Sequence, residues 1–469
     1  MPQKTSASRI CTQPPALFGF DDSCALANAY IQGEADPLDI AKQCIDAAAT
    51  QKSVYISTTP ERAFREAEAA RTRYRAGEPL SPFDGVPLGW KDLFDVAGTV
   101  TTGGSILRAD APKAEIDGPL VTFAARAGMV CTGKLNTTEF AYSSIGINPH
   151  FGNPVNPHSD EKGERIPGGS SSGSAVAVAS GILPIAIGSD TGGSVRIPSA
   201  FNGLVGFKPT VGHYNRDGAL FLARTVDTPG PIARSVRDIV VMDAILRGKP
   251  CRSFIPQPLS LKGKRFVIVK SLLDDEAIVP EARAMLENVG KRLEKSGAIV
   301  TYRDVPMVQE AIQIISQGWF SGAESFTEVR WALDDPEKAS RIDQRIRKRA
   351  EAARNLDPSL IVRSYWARQN LIAAIHKDLD GEILIAQAVG HGAPLLQDLL
   401  KNEDIFFQYI KANTRLSMPF NLMDMPGVTL PAALDENAMP LGVCLYGASG
   451  SDEKVLEAAL AAEEAVTCL

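Results

Sequence analysis

The 469-residue chain has seven cysteines, at 11, 24, 44, 131, 251, 444 and 468, yet no two stand in C-x-x-C spacing. That absence argues against a zinc site and a disulfide framework, and it points to a reduced, cytoplasmic setting. No apolar run approaches the roughly 20 residues that cross a bilayer, and no charged segment followed by an apolar signal core opens the chain. A membrane partner is therefore not expected. Positive charge is not in excess either. The 49 Lys and Arg against 55 Asp and Glu leave a net charge of −6, which argues against nucleic acid, because phosphate binding needs clustered cations. One dense basic stretch, RIDQRIRKRAEAARN at 341–355, has helical spacing and reads as a solvated face. A phosphate-binding loop is missing too. The nearest approach, GMVCTGKL at 128–135, has Leu135 where a magnesium-holding Ser or Thr would stand, and it reads as a loop between helix and strand.

The remaining composition is that of a globular enzyme, 44% hydrophobic with 39 Gly and 31 Pro. Residues 1–80 read as mainly helical. Asp36 and Pro37 make an N-cap and first helical position, and a second helix starts at Thr59-Pro60 and stops near Gly77. From FDGVPLGWKDLFDVAG (83–98) onward, short apolar runs alternate with helical stretches, the pattern of an α/β fold with helices over a sheet. KRFVIVK and EARAMLENVGKRLEKSG repeat that theme as strand and helix. Residues 307–410 are richer in charge and read as a helical insertion near the substrate site, flanked by core segments at 81–306 and 411–469. With no repeat or linker, one continuous domain is expected over 1–469.

The chemistry concentrates at two Gly-Gly-Ser turns, Gly168-Gly169-Ser170 and Gly192-Gly193-Ser194. Paired glycines let several backbone N–H groups converge, a nest suited to a phosphate or a developing oxyanion. Neither turn carries the phosphate-loop pattern. The oxyanion reading makes Ser194 a nucleophile, with the N–H groups of Thr191, Gly192, Gly193 and Ser194 itself around the attacked oxygen. Serine needs an adjacent base, and the histidines at 150, 158, 213, 376 and 391 sit in no motif that supplies one. Lys91, a cation inside the apolar stretch VPLGWKDLF, can do this work if burial keeps it neutral. The bland alternative is a strand-end lysine paired with Asp92 or Asp95. If Lys91 lies too far from Ser194, the hydroxyl of Ser170 can pass the proton.

GVPLGWKD, GKLNTTEFA, PGGSSSGSAVAVASG, GSDTGGSVRIPSAFNGLVGFKPT and the tail MPGVTLPAALDENAMPLGVCLYG resemble the defining motifs of the amidase signature family across roughly residues 25–465. The resemblance implies a central mixed β-sheet covered on both faces by helices. It also implies Lys91 as general base, Ser170 as bridging serine on a cis peptide bond and Ser194 as nucleophile. Thr191, Gly192 and Gly193 would form the oxyanion hole, with Asp190 and Arg196 supporting the site. The implied reaction is hydrolysis of a small carboxylic amide through an acyl-enzyme, with no metal and no cofactor. A homodimer is also implied. The polar loop before Gly168 is longer than usual for the family. Two alternatives stay open. One is the glutamine-hydrolysing subunit of a tRNA-dependent amidotransferase, although that subunit reads RQP after its nucleophile where this chain reads RIP at 196–198. The other is an inactive binding module, which is expected to lose one of Lys91, Ser170 and Ser194. Residues 142–151 and 307–410 are expected to supply the pocket walls.

Overall fold

The computed structural model describes residues 18–51, 53–249 and 256–467. Eleven strands form one sheet among the described residues: β1 (Tyr55–Thr58), β2 (Pro87–Lys91), β3 (Val130–Leu135), β4 (Ile185–Asp190), β5 (Val205–Lys208), β6 (Thr228–Ala233), β7 (Arg265–Val269), β8 (Ile299–Arg303), β9 (Ile383–Gln387), β10 (Gly427–Leu434) and β11 (Pro440–Tyr446). Their order across the sheet is β1-β3-β2-β4-β6-β5-β10-β11-β9-β7-β8. Parallel pairs at β3-β2-β4 and at β9-β7-β8 flank an antiparallel centre, so the sheet is mixed, and helices cover both of its faces. β2, β4 and β11 are buried throughout and largely apolar, as expected of strands shielded on two sides, with Lys91, Ser189 and Asp190 as polar exceptions at the strand ends.

The helix boundaries follow local chemistry. Asp36 accepts hydrogen bonds from the N–H groups of Leu38 and Asp39 and so caps the helix Pro37–Thr50. The helix Pro60–Ala76 ends at Gly77, whose φ of 74° is left-handed.

Three stretches differ from the sequence reading. β1 interrupts the N-terminal helical region, and only four residues carry it. GMVCTGKL is no loop, since Val130–Leu135 is a fully buried strand, and its Lys134 ion-pairs with Asp92 at 2.7 Å in the core. Residues 307–410 hold several helices, but also β9, which pairs with β11 and β7 inside the sheet. That segment is therefore part of the sheet as well as of the helical cover.

Among the described residues, no helix is long and apolar enough to cross a membrane. Cys24, Cys44, Cys131 and Cys444 are buried free thiols. Cys11, Cys251 and Cys468 lie outside the described residues.

Candidate active site

Lys91 ends β2 and Asp190 ends its parallel neighbour β4, with Trp90 opposite Ile187. The carboxyl ends of adjacent parallel strands are where α/β sheets place ligand sites. The chain turns sharply beyond β4, and the helix Arg196–Phe201 starts within six residues of Asp190. Gly193, at φ 116°, has its absent Cβ position 2.5 Å from Ser417 Oγ, so no side chain fits there.

The Asp190 carboxylate organises this turn. It accepts from the N–H groups of Gly193 (2.9 Å), Val195 (3.1 Å) and Arg196 (3.3 Å), and from the Arg196 side chain at 3.0 and 2.8 Å. Arg196 also donates to the Ser417 carbonyl at 3.0 Å and to the Tyr446 hydroxyl at 2.8 Å. Asn421 donates to Asp190 at 2.9 Å. Burial alone would raise the Asp190 pKa, but Arg196 and its hydrogen bonds hold the carboxyl far below the ordinary range.

The Gly193 N–H is thus committed to Asp190. Among the described residues, the N–H groups of Thr191, Gly192 and Ser194 have no protein acceptor. Thr191 is fixed by its hydroxyl, which donates to Asp227 Oδ1 at 2.5 Å.

The first turn packs under the second. The Gly169–Ser170 peptide is cis, at the position the sequence reading gave. The Gly169 N–H donates to the Ser144 carbonyl at 2.8 Å, and the Ser171 N–H donates to the Ser194 carbonyl at 3.4 Å. A Cβ at Gly169 would stand 2.7 Å from the Ser143 carbonyl, so the loop 143–146 can press against the turn only because this residue is glycine.

Lys91 is fully buried, and its Nζ lies 2.6 Å from Ser170 Oγ and 2.8 Å from Ser189 Oγ. Desolvation brings its pKa down to about 7, against the opposing pull of the Asp227 and Asp190 charges. It is not paired with Asp92, which Lys134 occupies, nor with Asp95, which accepts from Thr101. At neutral pH a large fraction of Lys91 is an unprotonated amine able to accept a proton. The hydroxyls of Ser170 and Ser194 are not hydrogen-bonded to each other in this structure; the backbone contact from Ser171 joins the two turns.

Ser194 opens into a cavity of about 490 Å³. Its apolar wall includes Ile312, Ile315, Trp319, Phe407, Ile410 and Met418, and Tyr142, Ser143 and Ser144 close another side. The walls draw on the two regions expected, 142–151 and 307–410, and also on Lys411, Thr414, Arg415 and Met418, which continue the helix Glu403–Leu422 past residue 410. None of the five histidines lines the cavity.

Three residues were not singled out from sequence. Ser189 holds the lysine, and Asp227 anchors Thr191. Arg349, inside the basic run, faces the cavity. The signal for Arg349 was its phase: Ile346 and Ala350 of the same helix are buried, and Arg349 shares their side. Among the described residues, no cluster of metal-ligating side chains occurs.

The amidase family model matches residues 39–456 of this chain. A 2-amino-5-chloromuconic acid deaminase from Comamonas testosteroni is 32% identical over 86% of each chain. A glutamyl-tRNA(Gln) amidotransferase subunit from Zymomonas mobilis is 32% identical over 94% of this chain and 95% of its own. A crystal structure of an amidase superposes with a TM-score of 0.81 at 30% identity, over 95% of this chain and 99% of that one. The chain belongs to the amidase signature family, and it is an amidase, a hydrolase of amide C–N bonds.

Proposed function

We propose that this protein is a free-standing amidase that hydrolyses a small carboxylic amide through an acyl-enzyme on Ser194, with Lys91 as general base and Ser170 as proton bridge. The observation that carries this reading is the fully buried Lys91 amine 2.6 Å from Ser170 Oγ, with no carboxylate within ion-pairing distance of it among the described residues. Lys91 takes the Ser170 proton, Ser170 takes the Ser194 proton, and Ser194 Oγ attacks the amide carbon. The new oxyanion is met by the N–H groups of Thr191, Gly192 and Ser194, while Gly193 serves the turn through Asp190. Return of the proton through Ser170 lets ammonia or an amine leave. Water then adds to the acyl-enzyme by the same relay and releases the carboxylic acid. Asp190 and Arg196 act as structural supports of the turn.

The reading as part of an amidotransferase rests on relatives of that name. It is disfavoured by a cavity whose lining includes no Asp or Glu to receive the ammonium group of glutamine. An inactive binding module is disfavoured because Lys91, Ser170 and Ser194 are all present.

The test is ammonia release across a panel of amides by wild type, Lys91→Ala, Ser170→Ala and Ser194→Ala. The expected loss is about 10²–10⁴-fold for the two proton-handling residues and more for Ser194. Full activity in Ser194→Ala ends the reading.

A further inference from the structure

Arg349 occupies an unusual electrostatic position. It lies in the helix Gln344–Ala352 and lines the same cavity as Ser194. Three other cations of the basic run are ion-paired: Arg345 with Asp343 at 2.7 Å, Lys348 with Glu403 at 2.5 Å, and Arg354 with Asp334 at 2.7 Å and Glu351 at 2.6 Å, whereas Arg341 and Arg347 lie outside the cavity lining. Arg349 instead donates only to the Tyr142 carbonyl, at 2.5 Å, and its guanidinium stands over the Tyr142 ring at 5.7 Å. Among the described residues, no carboxylate comes within ion-pairing distance of it.

A guanidinium has five N–H donors, and one backbone carbonyl leaves most of them unmet. Burial pulls the Arg349 pKa below the ordinary arginine range, the opposite of Arg196, which Asp190 raises. A half-buried guanidinium with most of its donors unmet by protein and no carboxylate beside it is poised to take an anionic partner from the cavity. The rest of the lining gives the same sign of charge. Arg415 is balanced by Asp275 at 3.0 Å, the exposed Lys411 adds a second cation, and the lining contains no Asp or Glu.

We propose that the substrate is an amide bearing a free carboxylate, a monoamide of a dicarboxylic acid, whose carboxylate is held by Arg349 while its amide carbon meets Ser194. The proposal rests on the amidase reading above and adds the chemical class of the acyl group. The wall of Ile312, Ile315, Trp319, Phe407, Ile410 and Met418 suits the hydrocarbon between the two ends. With no lining carboxylate, an α-ammonium group near the bound carboxylate is penalised, so the cavity separates plain dicarboxylic monoamides from amino-acid amides such as glutamine. Hydrolysis consumes one water and releases a dicarboxylate and ammonia.

The test compares kcat/KM for dicarboxylic monoamides from succinamate to suberamate with the alkyl amides that carry a methyl in place of the carboxylate. Glutamine is set against glutaramate, which differs from it only by the missing α-ammonium. For the best-turned-over pair, the carboxylated amide is expected to lead by about 100-fold, the scale of one desolvated charge pair. Glutaramate is expected to exceed glutamine by about tenfold or more. Arg349→Met should collapse the carboxylate-to-methyl ratio to within about threefold, and Arg349→Lys should keep an intermediate ratio.

Wild-type preference for the methyl series, or a ratio that survives Arg349→Met, overturns the proposal and leaves the amidase reading standing. If no amide turns over, or if Arg349→Met does not fold, calorimetry decides. Titration of each of the corresponding dicarboxylates into Ser194→Ala protein should show binding of at least one, weakened in Ser194→Ala carrying Arg349→Lys. Equal binding by the two, or none by either, overturns it. Loss of amide turnover with retained Arg349-dependent dicarboxylate binding would overturn only the catalytic reading.

Discussion

If neutral Lys91 is the base, kcat/KM must follow its deprotonation. The structure sets where that occurs. A fall from 10.5 to about 7 corresponds to about 5 kcal/mol of preference for the uncharged amine. An ordinary lysine would be neutral in about one molecule in 3,000 at pH 7, whereas this one is neutral in about half. Between pH 8 and pH 5, kcat/KM is therefore expected to fall by up to about 100-fold, with the slope easing near pH 6, where Asp227, itself pushed up to about 6 by burial, gives up the charge that favours protonated Lys91. The assay is initial ammonia release at low substrate, using an alkyl amide so that no substrate carboxylate titrates. A second arm uses Asp227→Asn. The Asp227 charge is the first of those that raise the Lys91 pKa, so its removal should lower that pKa and move the acid limb to lower pH. A profile flat from pH 5 to 9, or one still climbing tenfold per unit at pH 9, would refute the reasoning. So would a limb that moves to higher pH in Asp227→Asn.

Two other outcomes follow from the packing. Asp190→Asn leaves Arg196 buried without its counter-ion and weakens the acceptor set under the Gly192–Ser194 turn. It should cost about 3–5 kcal/mol of stability by denaturant titration, together with most of the activity. Gly146→Ala places a Cβ 2.6 Å from the Gly168 carbonyl at a residue with φ 96°, so a loss of about 1–3 kcal/mol is expected, read as a lowered Tm. Wild-type stability in either variant contradicts the close packing described here.

The residues that the sequence made legible are those whose backbone chemistry is local. Two Gly-Gly-Ser turns and a lysine in an apolar stretch are visible without tertiary knowledge, because only glycine permits such turns and only burial explains such a lysine. The helix ends at Asp36, Pro60 and Gly77 were readable for the same reason. β9 was not: ILIAQ sits among helical, charged segments, and its place between β11 and β7 depends on long-range pairing. Ser189 and Asp227 escaped because neither gains meaning until β2, β4 and the loop before β6 are brought together. Arg349 was the hardest of these. A helix rich in Arg and Lys looks alike on all sides in sequence, and which cation faces inward is decided by the packing of Ile346 and Ala350.

The position of Ser170 over Lys91 bears on the lifetime of the catalyst. An unprotonated primary amine is a better nucleophile than water, and an acyl group on a neighbouring serine is an ester it could attack. Capture by Lys91 would form a stable amide and end turnover after a single event. Under the proposed relay, the Ser170 hydroxyl occupies the approach at 2.6 Å, and the lysine is sealed from the cavity that holds the acyl chain. The amine can then exchange protons through oxygen without meeting carbon. On the proposed mechanism, Ser170 is thus also a guard against self-acylation.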